Sequence, residues 1–181
     1  MSVREGRNVP LRTYRNTMVD STDAVRAGLI PLLPRLRRLA RALAGQAADA
    51  DDLVQTVLER ALARAAQWRP DAPLDKWVFA IARNAWRDEL RARGRSQNLF
   101  VPEAAAAVVD EGASARPADR LALAAALAAL PPDHREVVAL VLVEGMSYGE
   151  AAEVLELPVG TVTSRLARAR IALQAHLGKD A

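Results

Sequence analysis

From Leu29 to Leu43 apolar residues return every three or four positions, at Leu29, Leu32, Leu33, Leu36, Leu39 and Leu43, and the pattern stops at Gly45. That is the period of one face of an α-helix, and it cannot be laid onto a strand, whose faces alternate every second residue. The later segments keep the helical period and are built from Ala, Leu, Arg and Glu rather than from alternating β-branched and aromatic residues. The spacing therefore predicts an all-α chain. With 181 residues, 51% of them hydrophobic, there is enough apolar material for one ordinary domain or two small ones, and disorder throughout is excluded.

Punctuation divides the chain into two modules. Residues 1–20 carry Arg4, Arg7, Arg12 and Arg15 without an apolar signal core and read as a poorly ordered extension. The first module, residues 21–95, holds three helices. Pro31 and Pro34 are expected to bend or break the first. Asp49 and Asp52 are placed to cap the second, whose stripe is Leu53, Val57, Leu58, Ala61, Leu62 and Ala65 and whose other face shows Gln55, Glu59 and Arg60. Residues 68–73, with two prolines, form a loop, and the third helix runs from about Leu74 to Arg91 with Trp77, Val78, Ile81 and Ala85 on one side. Residues 96–118 lose the period and read as a flexible linker.

The second module, residues 119–178, opens with Leu121, Leu123, Ala124, Leu127 and Leu130, is cut by Pro131-Pro132, and continues through a valine-rich run to Gly145. Its Pro-Pro-Asp entry and glycine exit favour a buried helix over a strand. Ser147 and Glu150 fit a capping box opening a short helix; Leu157 to Gly160 is a turn; a last helix starts near Thr161 and buries Val162, Leu166, Ala169 and Leu173. A short capped helix, a tight turn and a second helix make a helix-turn-helix.

Chemistry is narrowed by what the chain lacks. It has no cysteine, and only His134 and His176 as histidines, so neither thiolate nor histidine-cluster metal sites are expected. The acids at Asp49, Asp51, Asp52 and Glu59 sit at a helix start, where capping is commoner than metal binding. No phosphate loop or nucleophile-base pair is visible, so the expectation is a binding protein, not an enzyme, without metal or cofactor. No run approaches the roughly 18–20 apolar residues of a membrane span, which points to the cytoplasm.

The net charge is only +3, yet Lys76 and Lys179 are the sole lysines, and arginine makes the better forked contact with phosphates and base edges. On the last helix Thr161, Thr163, Ser164, Arg165, Arg168 and Arg170 face a partner. The first hydroxyls and Arg165 are expected nearest the base edges of a DNA groove, with Arg168 and Arg170 reaching phosphates. A second basic face carries Arg83, Arg87, Arg91, Arg93 and Arg95, interleaved with Trp77, Phe79 and Trp86, a composition used on unpaired bases. Trp77 shares the core stripe; Trp86 lies on the other side, with Arg83, and could face either way.

In their order, these motifs resemble the extracytoplasmic-function (ECF) group of bacterial sigma factors, in the sigma-70 family. Asp51-Asp52-Leu53-Val54-Gln55 with Arg60-Ala61 looks like the family's polymerase-docking helix. Trp77, Ile81-Ala82-Arg83-Asn84, Asp88 and Arg91 look like its promoter-melting, −10-reading helix. Leu130-Pro131-Pro132, Ser147-Tyr148, Glu150-Ala151-Ala152, Pro158-Val159-Gly160-Thr161-Val162 and Ser164-Arg165-Leu166 look like the domain that reads the −35 element.

The resemblance implies docking on core RNA polymerase (β′ clamp and β flap) through Asp52, Leu53, Gln55 and Glu59, −10 reading and melting by Arg83, Asn84, Trp86, Arg87, Arg91 and Arg93, and −35 reading by the last helix. It also implies capture of flipped bases by the loop at residues 68–73, and an anti-sigma factor as partner, with promoter DNA the target. Thr56, Val57, Leu58, Leu62 and Thr163 depart from the common family pattern. Two rival readings are a sigma-like protein that sequesters an anti-sigma factor, whose known arrangement carries a receiver domain after the sigma-like part where this chain ends at Ala181, and a helix-turn-helix repressor.

Overall fold

The computed structural model describes residues 11–96 and 117–178, with side chains described for 21–95 and 121–178. Most of the expected linker, and residues 1–10 of the expected extension, lie outside these; residues 11–20 are helical.

Helix α1, Leu11–Ala44, runs unbroken through Pro31 and Pro34. Both prolines face solvent, so the carbonyls of Ala27 and Ile30 that they leave without a helical donor can be hydrated, and the expected break does not occur. At its end Gly45 takes the left-handed conformation at φ 81° and returns its N–H to the Arg41 carbonyl at 3.0 Å, a helix stop that favours glycine. Helix α2, Ala47–Ala63, starts at Gln46 without a side-chain cap. Asp49 is therefore not a capping residue: it is engaged by Arg93, and Asp52 is exposed. After a 3₁₀ turn at Ala65–Gln67 and the loop at 68–73, α3, Leu74–Ser96, packs across α1 and α2. Leu36, Leu39, Leu43, Val57, Val78 and Phe79 are essentially without solvent exposure there.

The second module comprises α4, Pro117–Ala129, α5, Pro132–Val138, α6, Tyr148–Leu155, and α7, Val159–Leu177. The valine-rich run is helical, as its entry and exit predict, but its second half, Ala139–Val143, widens into a π turn in which the Glu144 N–H reaches the Ala139 carbonyl at 3.1 Å. Gly145, at φ 70°, ends it.

The helix-turn-helix is the pair α6–α7. Ser147 Oγ accepts from the Glu150 N–H at 3.2 Å, and the Glu150 carboxylate accepts from the Ser147 N–H at 3.0 Å. The Ser147 N–H and the Ser147 hydroxyl, which donates to the same carboxylate at 2.8 Å, hold the Glu150 carboxyl below its usual range. The turn is Glu156 to Pro158, with Glu156 left-handed at φ 54°, so α7 begins at Val159, two residues before the expected Thr161. Ser147→Ala removes the one acceptor for the Glu150 N–H, and a fall in melting temperature of about 2–4 °C is expected by calorimetry.

The modules do not stand apart. Buried residues of both form one continuous apolar cluster, with α3 against α6 and α1 against α4, α5 and the π turn. At the seam the first module is basic and the second acidic: Arg35 and Arg38 meet Glu144, Lys76 meets Glu150 and Glu153, and Arg87 meets Glu136 and Asp133.

Candidate nucleic-acid interface

Helix α7 buries Val162, Leu166 and Ala169 against α4, α5 and α6. The face turned outward carries Thr163, Ser164, Ala167, Arg168 and Arg170, all exposed, with Thr161 half-buried. The Thr163 hydroxyl donates to the Val159 carbonyl and the Ser164 hydroxyl to the Thr161 carbonyl, both at 3.0 Å. Both oxygens keep free lone pairs toward solvent, and the donors can be redirected to a ligand at little cost. Of the six residues expected to read the −35 element, four are exposed, and Thr161 and Arg165 are half-buried.

Arg165 departs from the expectation. Its side chain is only 20% exposed and its Nη2 lies 2.8 Å from Asp133 Oδ2, so in this form it leans toward α5 rather than outward. The expectation that Arg165 stands nearest the base edges does not describe this packed structure, because a nearby carboxylate competes for the guanidinium. Arg168 is the exposed arginine one turn after Ser164.

The expected −10 face divides three ways. Trp86 is 3% exposed, with the Arg135 guanidinium 5.8 Å from its ring centroid; of the two orientations left open for it, burial is realised, because α3 packs against the second module on that side. Arg83 is buried and donates to the Leu155 carbonyl at 2.9 Å and to Asn84 Oδ1 at 3.1 Å. Arg87 forks onto Glu136, with Nε–Oε1 2.5 Å and Nη2–Oε2 2.6 Å. These three are therefore not a free DNA face here: the second module covers them. Asn84 and Arg91 are exposed, Arg91 beside Asp88 at 3.2 Å. Arg93 is tied to Asp49 and Glu89, which hold its proton more firmly than usual.

On α2, Asp52, Gln55 and Glu59 line one exposed face, with Gln55 donating to Glu59 at 3.0 Å. Leu53 is 3% exposed. The docking expectation fails for that residue, since the α2 stripe that includes it supplies the core. In the loop at 68–73, the Trp68 indole donates to the Ala72 carbonyl at 3.1 Å, and residues 69–73 are exposed.

Two residues of consequence were not found by pattern. Glu136 and Glu144 flank the apolar run, and their carboxylates are 1% and 0% exposed. Burial pushes both carboxyl groups up, opposed by the arginines that bind them. An acid placed inside an apolar segment is the signal that could have revealed them, since a buried charge demands a partner. Among the described residues no cluster of His, Cys, Asp or Glu could hold a metal, and no helix is long and apolar enough to cross a membrane.

A chain of two helical modules, the second ending in an exposed basic recognition helix, belongs to the class of DNA-directed helix-turn-helix proteins. Comparison with known proteins narrows it. Residues 120–173 match the family described as Sigma-70, region 4, and residues 29–83 the Sigma2 domain of PhyR. The chain is 38% identical to the ECF RNA polymerase sigma factor EcfG of Rhodopseudomonas palustris over 88% of both chains. It is 38% identical to the RNA polymerase sigma factor CnrH of Cupriavidus metallidurans over 73% of this chain and 75% of that one. Among solved structures it resembles the sigma factor RpoE of Bartonella quintana in complex with the anti-sigma factor NepR, at 32% identity and TM-score 0.74, over 86% of this chain and 98% of that one. The chain belongs to the ECF group of the sigma-70 family, and is a sigma factor that directs transcription initiation.

Proposed function

We propose that the chain docks on core RNA polymerase through the exposed Asp52, Gln55 and Glu59 face of α2 against the β′ clamp and through its second module against the β flap, and that it then reads two promoter elements. The recognition face of α7 takes the −35 duplex, with Thr163 and Ser164 at base edges and Arg170 on phosphates. The first module takes the −10 element, with Asn84 and Arg91 already open and Arg83 and Arg87 released when the modules separate. The loop at 68–73 receives flipped bases, whose unstacking costs a few kcal/mol and has to be offset by contacts there. The action is binding, not catalysis, and its setting is the cytoplasm.

The carrying observation is the open face of α7: Thr163, Ser164 and Arg168 stand exposed on a helix with no acidic residue from Val159 to Leu177, the charge pattern suited to a phosphate-lined groove. Tethering two such modules raises the effective concentration of the second once the first has bound, provided the polymerase fixes their separation. The solved relatives from Bartonella quintana and of CnrH are complexes with NepR and with the cytosolic domain of CnrY, which supports an anti-sigma factor as the partner that keeps this chain from polymerase.

The test is transcription with purified core polymerase on a promoter library, together with footprints of the free protein. Promoter-selective transcripts and a footprint that sharpens only with core enzyme are expected, since each module alone offers few base contacts. A tight symmetric footprint by the free protein would make it a repressor; capture of an anti-sigma factor with no transcripts would make it a sequestering protein.

A further inference from the structure

Asp133 stands in the first turn of α5, and its carboxylate is divided between the modules. Oδ2 is 2.8 Å from Arg165 Nη2 on the recognition helix, and Oδ1 is 3.2 Å from Arg87 Nη2 on α3. An arginine and a carboxylate ordinarily meet by two parallel bonds. Here Arg165 makes a single ion-pair contact in place of a fork, and its other terminal nitrogen, Nη1, is buried without a hydrogen-bond partner. The oxygen that could complete the fork is the one held by Arg87. Leaving a buried guanidinium nitrogen without an acceptor is costly, so the packed form carries an unmet demand at Arg165.

We propose that Asp133 is a positioning residue that links module packing to the recognition helix. With the modules packed, Asp133 serves both arginines and Arg165 is half-bonded. With them apart, both oxygens turn to Arg165, which then braces α7 against α5 and fixes the angle at which Thr163, Ser164 and Arg168 meet DNA. Arg165 acts on the DNA through this brace, not as a base reader. The inference rests on the reading that the modules separate on a promoter, but the sharing of Asp133 is a property of the free protein and is measured there.

The chain has no cysteine of its own, so Arg37→Cys on α1 and Gln174→Cys on α7, both at exposed positions, give unique sites for two dyes. Single-molecule energy transfer then reports the separated fraction. Asp133→Asn, isosteric and half-exposed, is expected to raise that fraction about threefold, in line with one partly exposed ion pair. Arg165→Gln is expected to lower it about threefold, because Arg87 then holds Asp133 undivided, and to change nothing once Asp133 is already Asn. A merely structural role for Asp133 does not produce that dependence. No shift with Arg165→Gln, or an equal shift in both backgrounds, would overturn the proposal, since Arg165 would then act on Arg87 directly or not at all. If instead the labelled wild-type chain keeps its short distance on core polymerase and promoter DNA, the reading of module separation fails while the sharing of Asp133 stands on the free-protein data.

Discussion

Arg87→Ala is expected to destabilise the packed chain by about 3 kcal/mol in urea titrations at pH 8, the lower end of the range for removing one partner of a buried ion pair. The loss is large because Glu136, 1% exposed, would keep its charge among apolar neighbours with only Arg83 nearby, at 3.9 Å. It stays at the lower end because Arg87 itself is 30% exposed and already partly solvated.

The pH dependence has a definite sign. Burial raises the Glu136 carboxyl, and Arg87 opposes the rise. The packed form therefore binds a proton more readily than the exposed chain does, so the stability linked to Glu136 is fully present below the ordinary carboxyl range and is lost as pH rises through the raised value. Removing Arg87 lifts that value further, and the variant should recover much of its deficit between pH 8 and pH 5. A deficit that does not change with pH would mean that packing of the arginine stem, not charge, is what was lost. Replacing the pair together, Arg87→Met with Glu136→Leu, should recover only part of the loss, because buried Arg83 keeps its bonds to the Leu155 carbonyl and Asn84 but loses the Glu136 charge 3.9 Å away.

The helical class, the capping box and the helix-turn-helix were legible because each is written in local spacing: the Ser147 and Glu150 interval, the Gly45 and Gly145 stops, the buried stripe of α7. What spacing could not show was competition between distant groups. Arg83, Arg87 and Arg165 looked like free cations because their acceptors, the Leu155 carbonyl, Glu136 and Asp133, lie between 32 and 72 positions away in sequence. Trp86 sits among arginines in sequence yet is buried, since the face opposite the α3 core stripe is covered by the second module. Leu53 was placed in a docking motif by resemblance, although its own period assigned it to the core. For the arginines and Trp86 a helix considered alone shows an outward position, and the partner that claims it belongs to another helix.

Arg168→Ala is the substitution on α7 with the largest expected effect on promoter choice. Arg168 is exposed one turn beyond Ser164 and on the outward face with Ala167, and among the described residues no ion pair or hydrogen bond of its side chain competes for it, in contrast to Arg165. An arginine in that position can fork onto a guanine edge, a contact worth about 1–3 kcal/mol of discrimination. Transcription from the preferred −35 sequence should fall about 10- to 100-fold while variants at one base position become nearly equivalent. Arg170→Ala, two residues further along the exposed surface of the same helix, should weaken all sequences alike and reduce the salt slope of binding by about one. Reading these two losses side by side separates base recognition from charge: if Arg168→Ala weakens every promoter variant equally and lowers the salt slope as Arg170→Ala does, Arg168 holds a phosphate, and sequence is read by Thr163, Ser164 and the Ala167 methyl alone.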